Sequence, residues 1–344
     1  MKSYSNILII THKNIGDILH NMAVLKPLKK AFPNAILSLL TSSIGKNILT
    51  HNAYISHILL HTQGSSWKKI WERFQLIRLL RKKKYDLIIN LKMGSYFAYF
   101  LGAKSVWSVP KKFKTRNRKR NTHLIDTCLH VLKFQGLEIQ RGDLDLRIQT
   151  TTDEKREIET LLLQSGIQEA DKIVVISPFA NWHAKEWPLQ RFQHLATDLS
   201  HFSNIKTIFI GGKEDQKKII HEKNLFLNWI GKLSLRQVAA LYEKTTLAIG
   251  IDSGPFHMAA NMNIPVIGIF GATTTNRAFP YFSRDHVVEC TVYLGCNPCS
   301  PAGDFMACRV YDKPTPCMEA IPYETVYNKV VSILRPIRGS DHPS

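Results

Sequence analysis

The sequence predicts an α/β protein made of two doubly wound parallel sheets, and three observations carry that reading. Short aliphatic runs rich in Ile, Val and Leu alternate with segments of helical period along all 344 residues. Strand, turn and helix patterns follow one another near 7–20, 173–190, 207–216 and 247–261. The chain is longer than one typical domain, and 44% hydrophobic with 21% charged residues supplies material for two cores.

In the first half, the runs at 7–10, 36–40, 58–60, 87–91 and 106–109 read as strands, each short and apolar, with helices between them at 18–31 and 67–83. In the second half, strands are expected at 173–177, 207–210, 247–251 and 266–270, with helices at 189–199, 216–225 and 235–244. The polar residues from Gln149 to Lys155 open a helix and put the boundary near 150–170, taken at 160. That gives a first domain over 1–160 and a second over 161–322. A closing helix within 323–338 is expected to pack back toward the first domain. Neither half carries G-x-G-x-x-G after its first strand, and there is no Walker sequence. The apolar runs are too short to cross a bilayer and the start lacks a signal-peptide core, so a cytoplasmic protein is expected.

The net charge of +19 is unevenly placed. Residues 1–165 hold 28 Lys and Arg against 11 Asp and Glu, or +17, and the remainder holds 18 against 16, or +2. The partner of the first half should be anionic: nucleic acid, an acidic membrane surface, or a phosphorylated sugar or lipid.

The most informative segment is Gly250-Ile251-Asp252-Ser253-Gly254-Pro255-Phe256-His257. A strand that turns through Asp-Ser-Gly into a helix presents free backbone N–H groups and the positive end of a helix dipole, which suits a diphosphate. Asp17, after Gly16, falls at the carboxyl end of the first strand, where such sheets hold ligands; it is either a helix cap or a catalytic carboxylate. Lys185 lies in the loop after the 173–177 strand and is either a phosphate contact or a solvated lysine. Glu214 and Asp215 either accept bonds from ribose hydroxyls or serve as first-turn acids. Asp143-Leu144-Asp145 has the D-x-D shape of metal-dependent transferases, but it alternates with Leu146 and Ile148 and reads as a strand edge.

Taken together, Gly16-Asp17-Ile18-Leu19-His20, Lys185-Glu186-Trp187-Pro188 and Asp252-Ser253-Gly254-Pro255-Phe256-His257-Met258-Ala259-Ala260 resemble the lipopolysaccharide heptosyltransferases of glycosyltransferase family nine. The resemblance implies a GT-B fold, two Rossmann-like domains facing a central cleft that closes to bring Asp17 toward the donor. It also implies an inverting transferase that needs no cofactor for catalysis and moves heptose from ADP-heptose to the phosphorylated inner core of lipopolysaccharide (lipid A–Kdo). By that resemblance Asp17 is the general base, and Lys185, Asn181, Glu214, Asp252, Ser253, Gly254 and His257 serve the donor. Asp252 is then turned to the sugar hydroxyls, while Lys185 and the Ser253–Gly254 turn hold the diphosphate.

The segment 67–84 puts Trp67, Ile70, Trp71, Phe74 and Ile77 on one helical face among many basic residues. It is either a helix packed on its own sheet or a basic amphipathic helix lying on the anionic cytoplasmic face of the inner membrane. Lys68 and Lys69, with Arg116, Arg118 and Arg120 of the basic run 111–120 and Gly16 near the first strand, are candidates for holding the acceptor. The single aromatic of that run offers little stacking to nucleic acid. Cys296, Cys299, Cys308 and Cys317 form C-x2-C-x8-C-x8-C, which fits either a tetrahedral structural metal or reduced thiols packed in a loop. Two rival functions fit the same chain: a nucleic-acid-binding protein using the basic half, and a sugar-nucleotide epimerase on the same fold.

Overall fold

Buried aliphatic runs form two separate parallel sheets in the computed structural model, which describes residues 3–61, 67–92, 96–108, 122–218, 225–282, 286–296, 299, 308 and 315–334, and of 67–70 the backbone alone. The chain divides into two units, Met1–Gln149 and Thr150–Ser344.

In the first unit, β1 (Asn6–Ile10), β2 (Ile36–Thr41), β3 (His57–Leu60), β4 (Leu87–Asn90) and β5 (Ser105–Ser108) lie in the order β3-β2-β1-β4-β5, all parallel. Crossover helices cover both faces of such a sheet, which is why its central strands are apolar throughout. The helices are α1 (Ile15–Asn21), α2 (Leu25–Ala31), α3 (Ser43–Leu49), α4 (Trp67–Lys82) and α5 (Leu124–Lys133). The single helix expected over 18–31 is interrupted by a 3-10 turn at Met22–Val24. Pro27 lacks an N–H, so it sits in the first turn of a new helix, where none is needed. Among the described side chains of α4 the buried ones are Leu76 and Leu80, which join Leu8, Ile10, Leu40 and Ile88 in one core. Trp71 and Phe74, expected on the packed face, are 62% and 57% exposed.

The second unit holds β6 (Lys172–Ser177), β7 (Ile205–Phe209), β8 (Leu227–Asn228), β9 (Leu247–Ile251), β10 (Val266–Phe270) and β11 (Val287–Glu289), in the parallel order β11-β10-β9-β6-β7-β8. Its helices are α6 (Thr152–Gln164), α7 (Leu189–Ser200), α8 (Leu235–Glu243), α9 (Gly254–Asn261), α10 (Thr275–Ala278), α11 (Pro316–Glu319) and α12 (Tyr323–Leu334). Of the helix expected at 216–225, residues 216–218 form a turn, and 219–224 lie outside the described residues.

The units divide after Gln149, at the lower end of the expected span, and α6 is tied to the second unit: Arg236 of α8 donates from Nε and Nη2 to the two Glu154 oxygens, each at 2.7 Å. The apolar face of α12, expected to turn toward the first unit, buries Val326, Val330 and Leu334 in the second unit's core beside Val174 and Ile269. Lys172 Nζ caps the helix by donating to Leu334 O at 2.8 Å.

Asp143-Leu144-Asp145 is neither strand nor metal site. Asp143 closes a 3-10 turn and pairs with Lys30 at 2.7 Å, and Asp145 accepts from the Tyr54 hydroxyl at 2.8 Å. With the boundary at Gln149, the first unit carries 26 Lys and Arg against 7 Asp and Glu, or +19, and the second 20 against 20, or zero. Among the described residues no helix is long and apolar enough to cross a membrane.

Candidate functional site

The diphosphate-type turn of the second unit is built from the end of β9. Asp252 and Ser253 redirect the chain, and α9 begins at Gly254 with Pro255 in its first turn. Gly250 admits the close approach of β6, since a Cβ there would press into the Ser177 hydroxyl. The buried Tyr242 hydroxyl donates to Pro255 O at 3.0 Å and fixes the start of the helix.

In this frame Lys185 Nζ reaches Asp252 Oδ2 at 2.7 Å and Asp252 O at 3.2 Å, while His257 Nε2 lies 2.8 Å from Asp252 Oδ1. Burial opposes the charge on Asp252, but the Lys185 ammonium and the His257 hydrogen bond outweigh it and hold the carboxyl well below the usual carboxylate range. Asp252 thus holds Lys185 with one oxygen and His257 with the other, and each oxygen keeps a further lone pair. Lys185 keeps a third N–H donor for a ligand. Ser253 Oγ is buried and has no hydrogen-bond partner among the described residues. It stands beside the unfilled N–H groups of the first turn of α9.

Lys185 ends the 3-10 turn His183–Lys185, and Glu186 braces that loop by accepting from Ala180 N at 3.3 Å and pairing with His183 Nδ1 at 2.9 Å. Lys185, Asp252, Ser253, Gly254 and His257 are thus brought together. Asn181 and Glu214 are exposed at the same carboxyl edge, after β6 and β7, and neither bonds to that cluster among the described residues. Asp215 is structural: it accepts from Gly212 N at 3.1 Å and pairs with Lys218 at 2.6 Å.

In the first unit Asn14 is the N-cap of α1, and Asp17 is its third residue rather than its cap. The Asp17 carboxylate accepts from Asn14 Nδ2 at 3.3 Å and lines a pocket with His12, His20, Asn21, Leu91, Leu124, Thr127 and Cys128. Asn21 Oδ1 holds His12 there, 3.1 Å from its backbone N and 3.2 Å from Nδ1. Gly16 precedes Asp17 within the same helix. Arg116, Arg118 and Arg120 lie outside the described residues, as do the side chains of Lys68 and Lys69. Sequence reasoning passed over His12 and Asn21; their signal was position, just beyond β1 and one turn along from Asp17.

The expected metal set is not assembled. Among the described residues no three His, Cys, Asp or Glu side chains form a group that could hold a metal ion, and none of the six cysteines is in a disulfide. Cys290 N bonds to Phe270 O and Cys299 N to Ala272 O, so the cysteines gather at the carboxyl end of β10. Burial first, then Cys299, Cys290, Cys308 and Cys296, push the Cys317 thiol up to about 12. The packed-thiol alternative fits this geometry.

Two doubly wound units, one with a diphosphate-type turn and the other with an acid-lined pocket, are the parts of a GT-B glycosyltransferase. A family model for glycosyltransferase family 9 (heptosyltransferase) matches residues 73–308, a span that includes Lys185 and the 252–257 turn and begins after Asp17. The lipopolysaccharide core heptosyltransferase OpsX of Haemophilus influenzae is 23% identical over 303 residues, covering 83% of this chain and 84% of its own. A family 9 glycosyl transferase from Veillonella parvula superposes with a TM-score of 0.80 at 20% identity, covering 97% and 98% of the two chains. The E. coli ADP-heptose lps heptosyltransferase II does so at 0.72 with 17% identity, covering 96% and 98%. The chain belongs to glycosyltransferase family 9, the heptosyltransferases.

Proposed function

We propose that this enzyme transfers heptose from ADP-heptose to a hydroxyl of the phosphorylated inner core of lipopolysaccharide (lipid A–Kdo), with inversion and with no cofactor in the chemistry. The observation that carries the proposal is the Lys185–Asp252–His257 cluster beside an unpartnered Ser253 hydroxyl at the start of α9, in a family 9 chain. The second unit holds the donor there, and the first holds the acceptor at Asp17.

A sugar hydroxyl is a weak nucleophile until a carboxylate within hydrogen-bond reach takes its proton. Asp17 accepts that proton, and the acceptor oxygen bonds to the anomeric carbon from the face opposite the diphosphate. The bond between that carbon and the phosphate oxygen breaks, and ADP leaves with the electron pair. Lys185, the Ser253 hydroxyl and the first-turn N–H groups of α9 meet the growing negative charge with dipoles already in place. The first unit, which carries all the excess positive charge, rests on the cytoplasmic face of the inner membrane, where its acceptor is anchored.

The test is incubation with ADP-heptose and a truncated core lipid, followed by mass spectrometry. Asp17→Ala is expected to lower transfer about 100-fold or more while ADP still binds. Isomerisation of the donor without acceptor favours the epimerase reading, and salt-sensitive DNA binding without transfer favours the nucleic-acid reading.

A further inference from the structure

His12 is held at the Asp17 pocket in one orientation and one tautomer, and its partner Asn21 fixes both. Asn21 lies one turn beyond Asp17 on α1, so the two side chains share a face of the helix, with Cβ atoms about 5–6 Å apart. The Asn21 side chain is buried and reaches three groups: the His12 backbone N at 3.1 Å, His12 Nδ1 at 3.2 Å and Cys128 Sγ at 3.2 Å. A backbone N–H can only donate, so the Asn21 atom facing it is the oxygen, and the amide nitrogen is the group on Cys128. His12 Nδ1 meets that same oxygen, which has no proton to give. Nδ1 therefore carries the ring proton, and in the neutral imidazole the lone pair is on Nε2. Nε2 has no hydrogen-bond partner among the described residues.

His12, Asp17, Leu91 and Leu124 line one pocket. One Asp17 oxygen accepts from Asn14 Nδ2, and the other has no partner among the described residues. The pocket thus offers a ligand two hydrogen-bond acceptors, a carboxylate and an imidazole lone pair. Two neighbouring O–H donors complement them, and Leu91 and Leu124 suit the C–H face of the ring that carries those hydroxyls. A ligand with a single hydroxyl leaves one acceptor unmet. We propose that His12 is a specificity-determining residue: its Nε2 accepts a hydrogen bond from the acceptor hydroxyl next to the one whose proton Asp17 takes. Asn21 is the positioning residue that keeps the proton on Nδ1 and so keeps Nε2 an acceptor. The substrate class is then a sugar with two adjacent hydroxyls. The inference rests on reading the first unit as the acceptor-binding half.

The first measurement is the ring 15N NMR spectrum of His12 in the full chain, assigned by its loss in His12→Phe, at a pH where the imidazole is neutral. The Nδ1–H tautomer is expected, and the Nε2–H tautomer overturns the inference. Asn21→Ala should move the ring toward Nε2–H, whereas an asparagine with a merely structural role would leave the tautomer as it is. The wild-type spectrum decides the tautomer whether or not that variant folds. The second measurement is transfer from ADP-heptose to a truncated core lipid. His12→Phe should raise KM for the lipid about tenfold and leave kcat within about threefold, as loss of a hydrogen bond made equally before and during reaction does. His12→Gln, whose side-chain oxygen can accept, should recover part of that loss. Once the product shows which hydroxyl is glycosylated, core lipids deoxygenated at each neighbouring carbon complete the comparison. At one of those carbons deoxygenation should raise KM about tenfold in the wild type and less than about twofold in His12→Phe. Equal KM in wild type and His12→Phe, or independent losses at both carbons, overturns the role of His12 and leaves the transferase reading standing. No transfer by the wild type removes that reading and the inference with it.

Discussion

Asp252 has one oxygen on His257 and the other on Lys185, and substitutions in the turn should separate positioning of those neighbours from contact with the ligand. Asp252→Asn leaves the partly buried Lys185 cation without its charge partner and is expected to cost about 3 kcal/mol of stability, seen as a lower Tm, along with weaker ADP binding. Ser253→Ala removes a hydroxyl that bonds to nothing among the described residues, so stability should hold within about 0.5 kcal/mol while ADP binds roughly tenfold more weakly. Unchanged ADP affinity in Ser253→Ala would take that hydroxyl out of the donor site. His61 makes a linkage prediction. Burial, then the charges of Lys92, Lys13 and Arg73, bring its pKa down to about 4 in the folded chain, against 6.5 for a free imidazole. Between those values the unfolded chain binds more protons, so stability rises with pH across that window. Urea unfolding of His61→Gln should show a flatter slope there, by up to about 3 kcal/mol before solvent screening.

Helix α4 shows what a periodic pattern can and cannot say about an element. The apolar residues of 67–77 fall on one helical face, yet the core takes Leu76 and Leu80, and the stacked Trp71 and Phe74 rings stand in solvent. Arg78 and Lys82 follow Trp71 at seven and eleven residues, so the exposed stripe runs from two aromatic groups to two basic ones, the residue types an interfacial helix carries. Replacing Trp71 and Phe74 by Ser together should lower binding to phosphatidylglycerol vesicles about tenfold or more and leave folding stability nearly unchanged. Equal vesicle binding by the double variant would remove α4 from the membrane face.

Strands were legible to within a residue or two, because a run covered by helices on both faces must be apolar throughout. The edges β8 and β11, two and three residues long, are too short to show any period. The apolar face of α12 was readable, but helical periodicity does not say which core a face will cover. At the site, the strand-end positions of Asp17, Lys185 and Asp252 were visible in the sequence. The pairing that makes Asp252 an orienting group was not, since it joins residues 67 apart in the chain.

At the scale of the whole molecule, the charge is divided as the proposed acceptor and donor sites would require. The +19 resides on the first unit and the second is neutral, so only the first exerts a long-range pull on an anionic surface. In the second unit the proposed donor site is built of groups whose charges are already paired at short range, with the Lys185 side chain 21% exposed beside a buried carboxylate. Salt screens exposed, widely spaced charges far more than partly buried pairs, so the two binding steps should respond differently. Between about 50 and about 300 mM salt, KM for a vesicle-borne acceptor should rise about tenfold or more, while the Kd for ADP changes less than about threefold. Because the charge difference between the units is large, a parallel response of the two constants would mean that the acceptor is held by local contacts rather than by the field of the first unit. The membrane-facing task given to that unit would then have no electrostatic basis.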